Sequence, residues 1–150
     1  GVSLVIGCST FPTWNTVPGM YASLITGNTV IVKPHPKAIL PIAIVIAELQ
    51  KVLAENGIDP NVCQLAVDST KFPIAKEFVA HPDVKLIDYT GNSVFGNWLE
   101  AQQILGKEVF TEKAGVNPVV IESVNDLKAV ADNLAFSLSL YAGQMCTAPQ

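Results

Sequence analysis

The chain has 150 residues, of which 49% are hydrophobic and 15% charged; that balance excludes disorder and suffices for one buried core. Nine basic residues against 13 acidic ones leave a net charge of −4, without the positive excess that nucleic acid or an anionic membrane surface requires of a partner. Cys8, Cys63 and Cys146 are too few and too widely spaced for a disulfide framework or a zinc site, which points to a reducing, cytoplasmic setting and no metal. The most apolar run, residues 39–47, falls far short of the ~20 residues a bilayer span needs and contains Pro41.

In chain order, residues 2–7 and 29–32 are short apolar or β-branched runs that read as buried parallel strands. Between them residues 19–25 read as a helix that stops at Gly27-Asn28. From Pro41 to Gly57, Ile42, Val45, Ile46, Leu49, Val52 and Leu53 recur at helical spacing, with Glu48, Lys51 and Glu55 opposite. This is a core-facing helix with proline at its start and glycine past its end. Residues 63–67 and 84–87 read as further strands separated by a helix over 72–80. After Phe110 the pattern changes: residues 119–121 read as one more strand and 127–141 as a helix leading into a turn around Cys146.

Alternating strand and helix over the first two-thirds predicts an α/β fold with a doubly wound, Rossmann-like parallel sheet and right-handed crossovers. Ligands of such sheets lie beyond the carboxyl ends of the strands. Asn15, Lys33 and Gly91 each follow a predicted strand, so the topology gathers them along one edge.

The chemistry centres on two segments. Gly143-Gln144-Met145-Cys146-Thr147-Ala148-Pro149-Gln150 sets a cysteine in a turn of small and polar residues, 34 positions (146 − 112) after Glu112. A thiol at neutral pH already holds a small thiolate fraction, so a modest local field activates it as a nucleophile. On residue type alone Cys146 reads more readily as a small buried hydrophobe, as most lone cysteines do. The surrounding motif decides: the cysteine segment resembles the nucleophile segment of the aldehyde dehydrogenase superfamily. Thr111-Glu112-Lys113-Ala114-Gly115-Val116-Asn117-Pro118 resembles that family's glutamate segment. Thr13-Trp14-Asn15 resembles its tryptophan-asparagine turn and Val32-Lys33-Pro34 its cofactor-binding lysine. Tyr89-Thr90-Gly91-Asn92-Ser93-Val94-Phe95-Gly96 resembles the turn and helix start beneath its nicotinamide. These pieces occur in the family's order along the whole chain.

The resemblance implies NAD(P)-dependent oxidation of a small aldehyde to the acid, with Cys146 as nucleophile, Asn15 as oxyanion donor and Glu112 as the base that activates water. It implies cofactor contacts from Trp14, Lys33, His35, Thr90, Gly91 and Asn92. It also divides the chain into a dinucleotide-binding domain over 1–111 and the start of a catalytic domain over 112–150, and implies a homo-oligomeric parent protein. The start at Gly1 in mid-strand and the end four residues past Cys146 fit a piece from the middle third of such a protein, inactive by itself if the rest of the site is missing. A CoA-acylating dehydrogenase is the rival chemistry, although it needs no base for water; a nucleotide-binding module without chemistry is the rival class.

Several positions depart from the family pattern. Where the family often has an acid three residues after the lysine, to hold both ribose hydroxyls, this chain has Pro36 flanked by His35 and Lys37. Without that acid to repel a 2′-phosphate, and with two basic neighbours to attract one, NADP is expected at least as much as NAD. The family's glycine-serine pair is Gly91-Asn92 here, and Asn92 is suited to cap the next helix. The Pro34-His35-Pro36 stretch and the Trp-Asn-Thr-Val-Pro turn look most like the aldehyde dehydrogenases of bacterial phenylacetate degradation.

Overall fold

The structure is a computed structural model that describes residues 1–149; Gln150, the last residue of the cysteine segment, lies outside the described residues. The chain divides into two compact units, Gly1–Glu112 and Lys113–Gln150.

The first unit is built on five parallel strands: β1 (Val2–Ile6), β2 (Thr29–Lys33), β3 (Cys63–Leu65), β4 (Val84–Thr90) and β5 (Glu108–Glu112), in the order β3-β2-β1-β4-β5. The chain winds outward from β1 in one direction and then, after β3, in the other. The strand order therefore reverses between β1 and β4, as in a doubly wound sheet. β1 is central and mostly buried, as expected of a strand covered on both faces. On β1, Leu4 and Ile6 belong to one apolar layer with Val84, Ile87, Tyr89, Leu99 and Val109. Val5 joins the other with Met20, Val30, Val32, Ile42, Ile46 and Cys63. The period-two alternation of a strand supplies both layers from one short sequence.

The crossovers are α1 (Val17–Ile25), α2 (Leu40–Glu55), α3 (Ala75–Ala80) and α4 (Ser93–Glu100). α1 and α2 each begin with a proline in the first turn, where its missing N–H and fixed φ cost nothing. α2 ends before Gly57, whose φ of 72° belongs to the left-handed region that glycine tolerates best. α1 lies close enough to the sheet for Ser23 Oγ to donate to Ser3 Oγ at 2.9 Å, a buried polar pair that satisfies both hydroxyls. Gly19 faces Asp88, whose carboxylate occupies the volume a Cβ would need.

The sequence reading differs from the structure at several places. The expected helix over 72–80 starts only at Ala75, because Pro73 biases Phe72 away from helical backbone. β4 runs three residues beyond the expected end at Ile87, through Asp88, Tyr89 and Thr90, where pairing to β1 and β5 overrides weak local preference. β5 was not anticipated: it is an edge strand with Glu108 and Glu112 exposed and Val109 buried, so its apolar signal is thin. The expected strand over 119–121 does not form. A strand is defined by its ladder, and the segment's pairing among the described residues is one bridge between Asn117 and Pro149.

In the second unit, α5 (Leu127–Ser139) is capped by Asp126, whose carboxylate accepts the Ala129 N–H at 2.9 Å. The helix stops two residues short of the expected Tyr141 because Tyr141 and Ala142 take φ of 51° and 56°, outside helical backbone. That reversal leads into the Cys146 turn.

Candidate functional site

The carboxyl ends of the strands open on a cleft of ≈ 400 Å³ in the first unit. Its lining comes from the turn after β1 (Gly7, Cys8, Ser9), the end of β2 with the loop beyond it (Lys33, His35, Pro36), and the segment after β3 (Asp68, Ser69, Thr70). The end of β4 and the start of α4 (Tyr89 to Asn92, and Phe95) line it as well. This is the topological switch point, where the diverging crossovers of β1 and β4 leave a crevice.

Lys33 ends β2 opposite Ile6, and its carbonyl accepts the Gly7 N–H at 3.0 Å, which fixes the turn after β1 to the turn after β2. The Lys33 side chain is nearly buried and its Nζ lies 2.9 Å from Asp68 Oδ1. His35 also lines the cleft. Burial, and then the charges of Lys33 and Lys37, hold its pKa below the ordinary imidazole value, against a weaker opposite pull from Asp68. The cationic form of His35 is thereby disfavoured. Asp68, in the connection after β3, adds a carboxylate residue to the lining of the cleft.

At the other side, Thr90 ends β4 paired with Glu112 at the end of β5, and the Gly91 N–H donates to the Glu112 carbonyl at 3.0 Å. Gly91 has no room for a Cβ, which would overlap the Tyr89 phenol. That phenol donates to the Asn92 carbonyl at 3.0 Å, while the Asn92 side chain accepts the Phe95 N–H at 2.9 Å and caps α4. A capped helix N-terminus beneath a turn without side-chain bulk suits an anionic group. Glu112 is exposed, and its charge is felt by Asp88, whose carboxyl is pushed above the usual range by burial and then by Glu112.

Asn15 lies in the 11–16 turn after β1, and its Nδ2 donates to Cys8 Sγ at 3.1 Å. Trp14 is 76% exposed and stands outside the lining of the cleft. The first unit thus brings Asn15, Lys33, His35, Thr90, Gly91, Asn92 and Glu112 to the same end of one sheet. Cys146 belongs to the second unit, where its thiol is exposed and its carbonyl accepts the Asn117 Nδ2 at 2.8 Å. A further bond from Asn117 to the Ala148 carbonyl at 3.1 Å ties both sides of the cysteine turn to the glutamate segment's asparagine.

The three thiols differ. Cys63 is fully buried, and burial pushes its pKa up to about 11. Cys8 is only half-buried and lies at the cleft. Burial would raise its pKa, but bonds with the Thr10 side chain, the Phe11 backbone and Asn15 together outweigh burial and lower it. Brief iodoacetamide treatment of the folded chain near neutral pH is therefore expected to label Cys146 and Cys8 and spare Cys63, as read by peptide mass spectrometry. Labelling of Cys63 at a rate equal to that of Cys8 would contradict this ordering. Asp68 and Cys8 were the residues that sequence reasoning missed. Asp68 carries no motif, and the one available signal was its place just after a predicted strand.

Among the described residues no cluster of three metal-ligating side chains occurs, and no helix is long and apolar enough to cross a membrane.

A doubly wound α/β unit with a cleft at its switch point, followed by a separate unit carrying an exposed cysteine, defines the class of protein. The sequence model of the Aldehyde dehydrogenase family matches residues 1–150, and the chain belongs to that family. It is 28% identical to 1-pyrroline-5-carboxylate dehydrogenase of Bacillus subtilis (strain 168) across 99% of this chain and 29% of that protein. The structure resembles the NAD-dependent aldehyde dehydrogenase of Burkholderia multivorans with a TM-score of 0.92 and 56% identity, over 100% of this chain and 27% of that one. It also resembles the NADP-dependent glyceraldehyde-3-phosphate dehydrogenase of Bacillus halodurans C-125, solved with NADP, with a TM-score of 0.81 and 28% identity, over 100% of this chain and 30% of that one. The chain thus spans under a third of the length of these relatives.

Proposed function

We propose that this chain is the cofactor-binding and nucleophile-bearing part of an NAD- or NADP-dependent aldehyde dehydrogenase that oxidises an aldehyde to its carboxylic acid. The observation that carries the reading is the meeting of Lys33, the Thr90-Gly91-Asn92 turn and Glu112 at one end of the sheet, in a family member that also bears an exposed cysteine. The cleft fits the cofactor: the Gly91 turn excludes side-chain bulk, α4 offers a capped N-terminus, and the Lys33–Asp68 ion pair belongs to its lining. Lys33 and Asp68 would hold the adenosine ribose, and Thr90, Gly91 and Asn92 would support the nicotinamide end. When bound, the cofactor would supply an acceptor for the hydride released as the adduct on Cys146 becomes a thioester.

The remaining chemistry belongs to this chain. Cys146 as thiolate attacks the aldehyde carbon, and the Asn15 amide with the Cys146 N–H stabilises the oxyanion, each such donor contributing roughly 3 kcal/mol. Glu112 takes a proton from the water that hydrolyses the thioester. A base for water favours the free acid over transfer to CoA. The resemblance of the Pro34-His35-Pro36 stretch and the Trp-Asn-Thr-Val-Pro turn to the aldehyde dehydrogenases of bacterial phenylacetate degradation supports an aldehyde of aromatic-acid catabolism as substrate. Three free cysteines without a disulfide support a cytoplasmic setting, and the parent protein is proposed to be a homo-oligomer.

The test is turnover by the full protein with an aromatic semialdehyde and either cofactor, with and without CoA, and product identification by mass spectrometry. Free acid formed without CoA is the expected result; an acyl-CoA formed only in its presence would replace this reading with the CoA-acylating one.

A further inference from the structure

The turn that carries Asn15 folds back on its own start. The Asn15 N–H donates to the Phe11 carbonyl at 3.0 Å, and the Thr16 and Val17 N–H groups donate to the Thr13 carbonyl at 3.2 and 2.9 Å. Thr16 is buried, and its hydroxyl fills the volume that a Cβ on Gly7 would need, so the end of the turn is seated on the residue before Cys8. These contacts fix the Asn15 backbone but leave the side-chain torsions to set where its carboxamide points. The carboxamide is held by sulfur: Nδ2 donates to Cys8 Sγ at 3.1 Å. The same sulfur lies 3.4 Å from Thr10 Oγ1. Together with the Phe11 backbone, Thr10 and Asn15 lower the thiol pKa against the effect of burial, which favours the form of the sulfur that accepts an N–H most strongly.

Resting on the reading of Asn15 as an oxyanion donor, we propose that Cys8 is a positioning residue for aldehyde oxidation: its sulfur engages one N–H of the Asn15 carboxamide and so presents the other to the substrate oxygen. An amide nitrogen carries two hydrogens in the plane of its carbonyl, so holding one sets the direction of the second. Without the sulfur the amide can turn over and offer its own oxygen, which an oxyanion repels. A donor fixed in advance stabilises developing charge better than a mobile one, because nothing has to reorganise as the carbon–sulfur bond forms. Cys8 makes no bond to the substrate; it serves through its lone pairs, and the nucleophile remains Cys146.

The experiment measures the burst of reduced cofactor and the cofactor dissociation constant in the full protein for the wild type, Cys8→Ala, Cys8→Ser, Asn15→Ala and the Cys8→Ala/Asn15→Ala double variant, with thermal unfolding of each recorded in parallel. Cys8→Ala is expected to slow the burst by about tenfold, the scale of one hydrogen bond, with cofactor affinity nearly unchanged. Cys8→Ser keeps an acceptor at nearly the same place and is expected to recover most of that loss. On the Asn15→Ala background, Cys8→Ala is expected to slow the burst no further, since nothing is left to position. Additive losses in the double variant overturn the proposal, as does a Cys8→Ala burst equal to the wild type's while Asn15→Ala is slowed, or a serine that recovers nothing; each of these leaves the oxyanion reading standing. If Cys8→Ala fails to fold, Cys8→Val, which fills the volume of the thiol without an acceptor, takes its place in the same cycle. An undiminished burst in Asn15→Ala removes the oxyanion reading and this inference with it.

Discussion

Replacing Cys146 by alanine in the full protein is expected to lower aldehyde oxidation by a factor on the order of 10⁴ or more, while NAD or NADP binds with nearly unchanged affinity. The size follows from the proposed covalent route: without sulfur there is no thiohemiacetal, and the oxyanion donors have nothing to stabilise. The selectivity follows from the proposed roles: the sulfur bonds the substrate, whereas Lys33, Thr90, Gly91 and Asn92 would hold the cofactor. Cys63→Ala provides the contrast. It removes a fully buried thiol from the layer around Val5 and Met20, so its effect is expected on stability rather than turnover. Steady-state rates with calorimetric cofactor titration separate these outcomes, and a Cys146→Ala protein as active as the wild type would end the covalent reading.

Glu112→Gln is expected to leave a burst of reduced cofactor intact and to slow the subsequent turnover by roughly 10²–10⁴-fold, the usual contribution of a general base. Acylation needs the thiolate and the oxyanion donors; hydrolysis of the thioester needs a base for water. The substitution preserves shape, and the Glu112 backbone keeps its bond from the Gly91 N–H, so the end of β5 stays in place. Loss of burst and steady state together would place Glu112 before the thioester instead. Removal of its charge should also let the Asp88 carboxyl titrate lower, since Glu112 is one of the two causes of its upward shift. Carboxyl NMR of the variant reads that second effect independently of catalysis.

The layered parallel sheet was legible because its signals are local and repeated: apolar runs at residues 2–7 and 29–32, and helical spacing from Ile42 to Leu53 bounded by Pro41 and Gly57. The gathering of Asn15, Lys33 and Gly91 at one sheet edge also followed from strand order alone. The features that stayed hidden depend on pairing or on distance in sequence. β5 is held by its ladder to β4 more than by its own residues, and the run at 119–121 has the composition of a strand without a ladder to join. Nothing in the apolar run at residues 2–7 marks Cys8, just past the end of β1 at Ile6, as part of the cleft. Asp68 is 35 residues (68 − 33) from Lys33, and only the β2–β3 pairing brings the two together.

The division of β1 between two apolar layers makes chain length in this strand a different kind of constraint from residue type. Leu4 and Ile6 serve one layer, Val5 serves the other, and Ser3 meets Ser23 on the Val5 side. Exchanging one aliphatic residue for another costs a local repacking. Deleting one residue exchanges the layers: leucine and isoleucine turn toward α1 and α2, the serine turns away from its partner, and the turn carrying Cys8 and Asn15 is pulled back by one strand step. The same deletion in the exposed 56–59 turn after α2 moves no side chain across the sheet. Variation in length is therefore tolerated where the chain reverses and refused where it crosses the centre of the sheet.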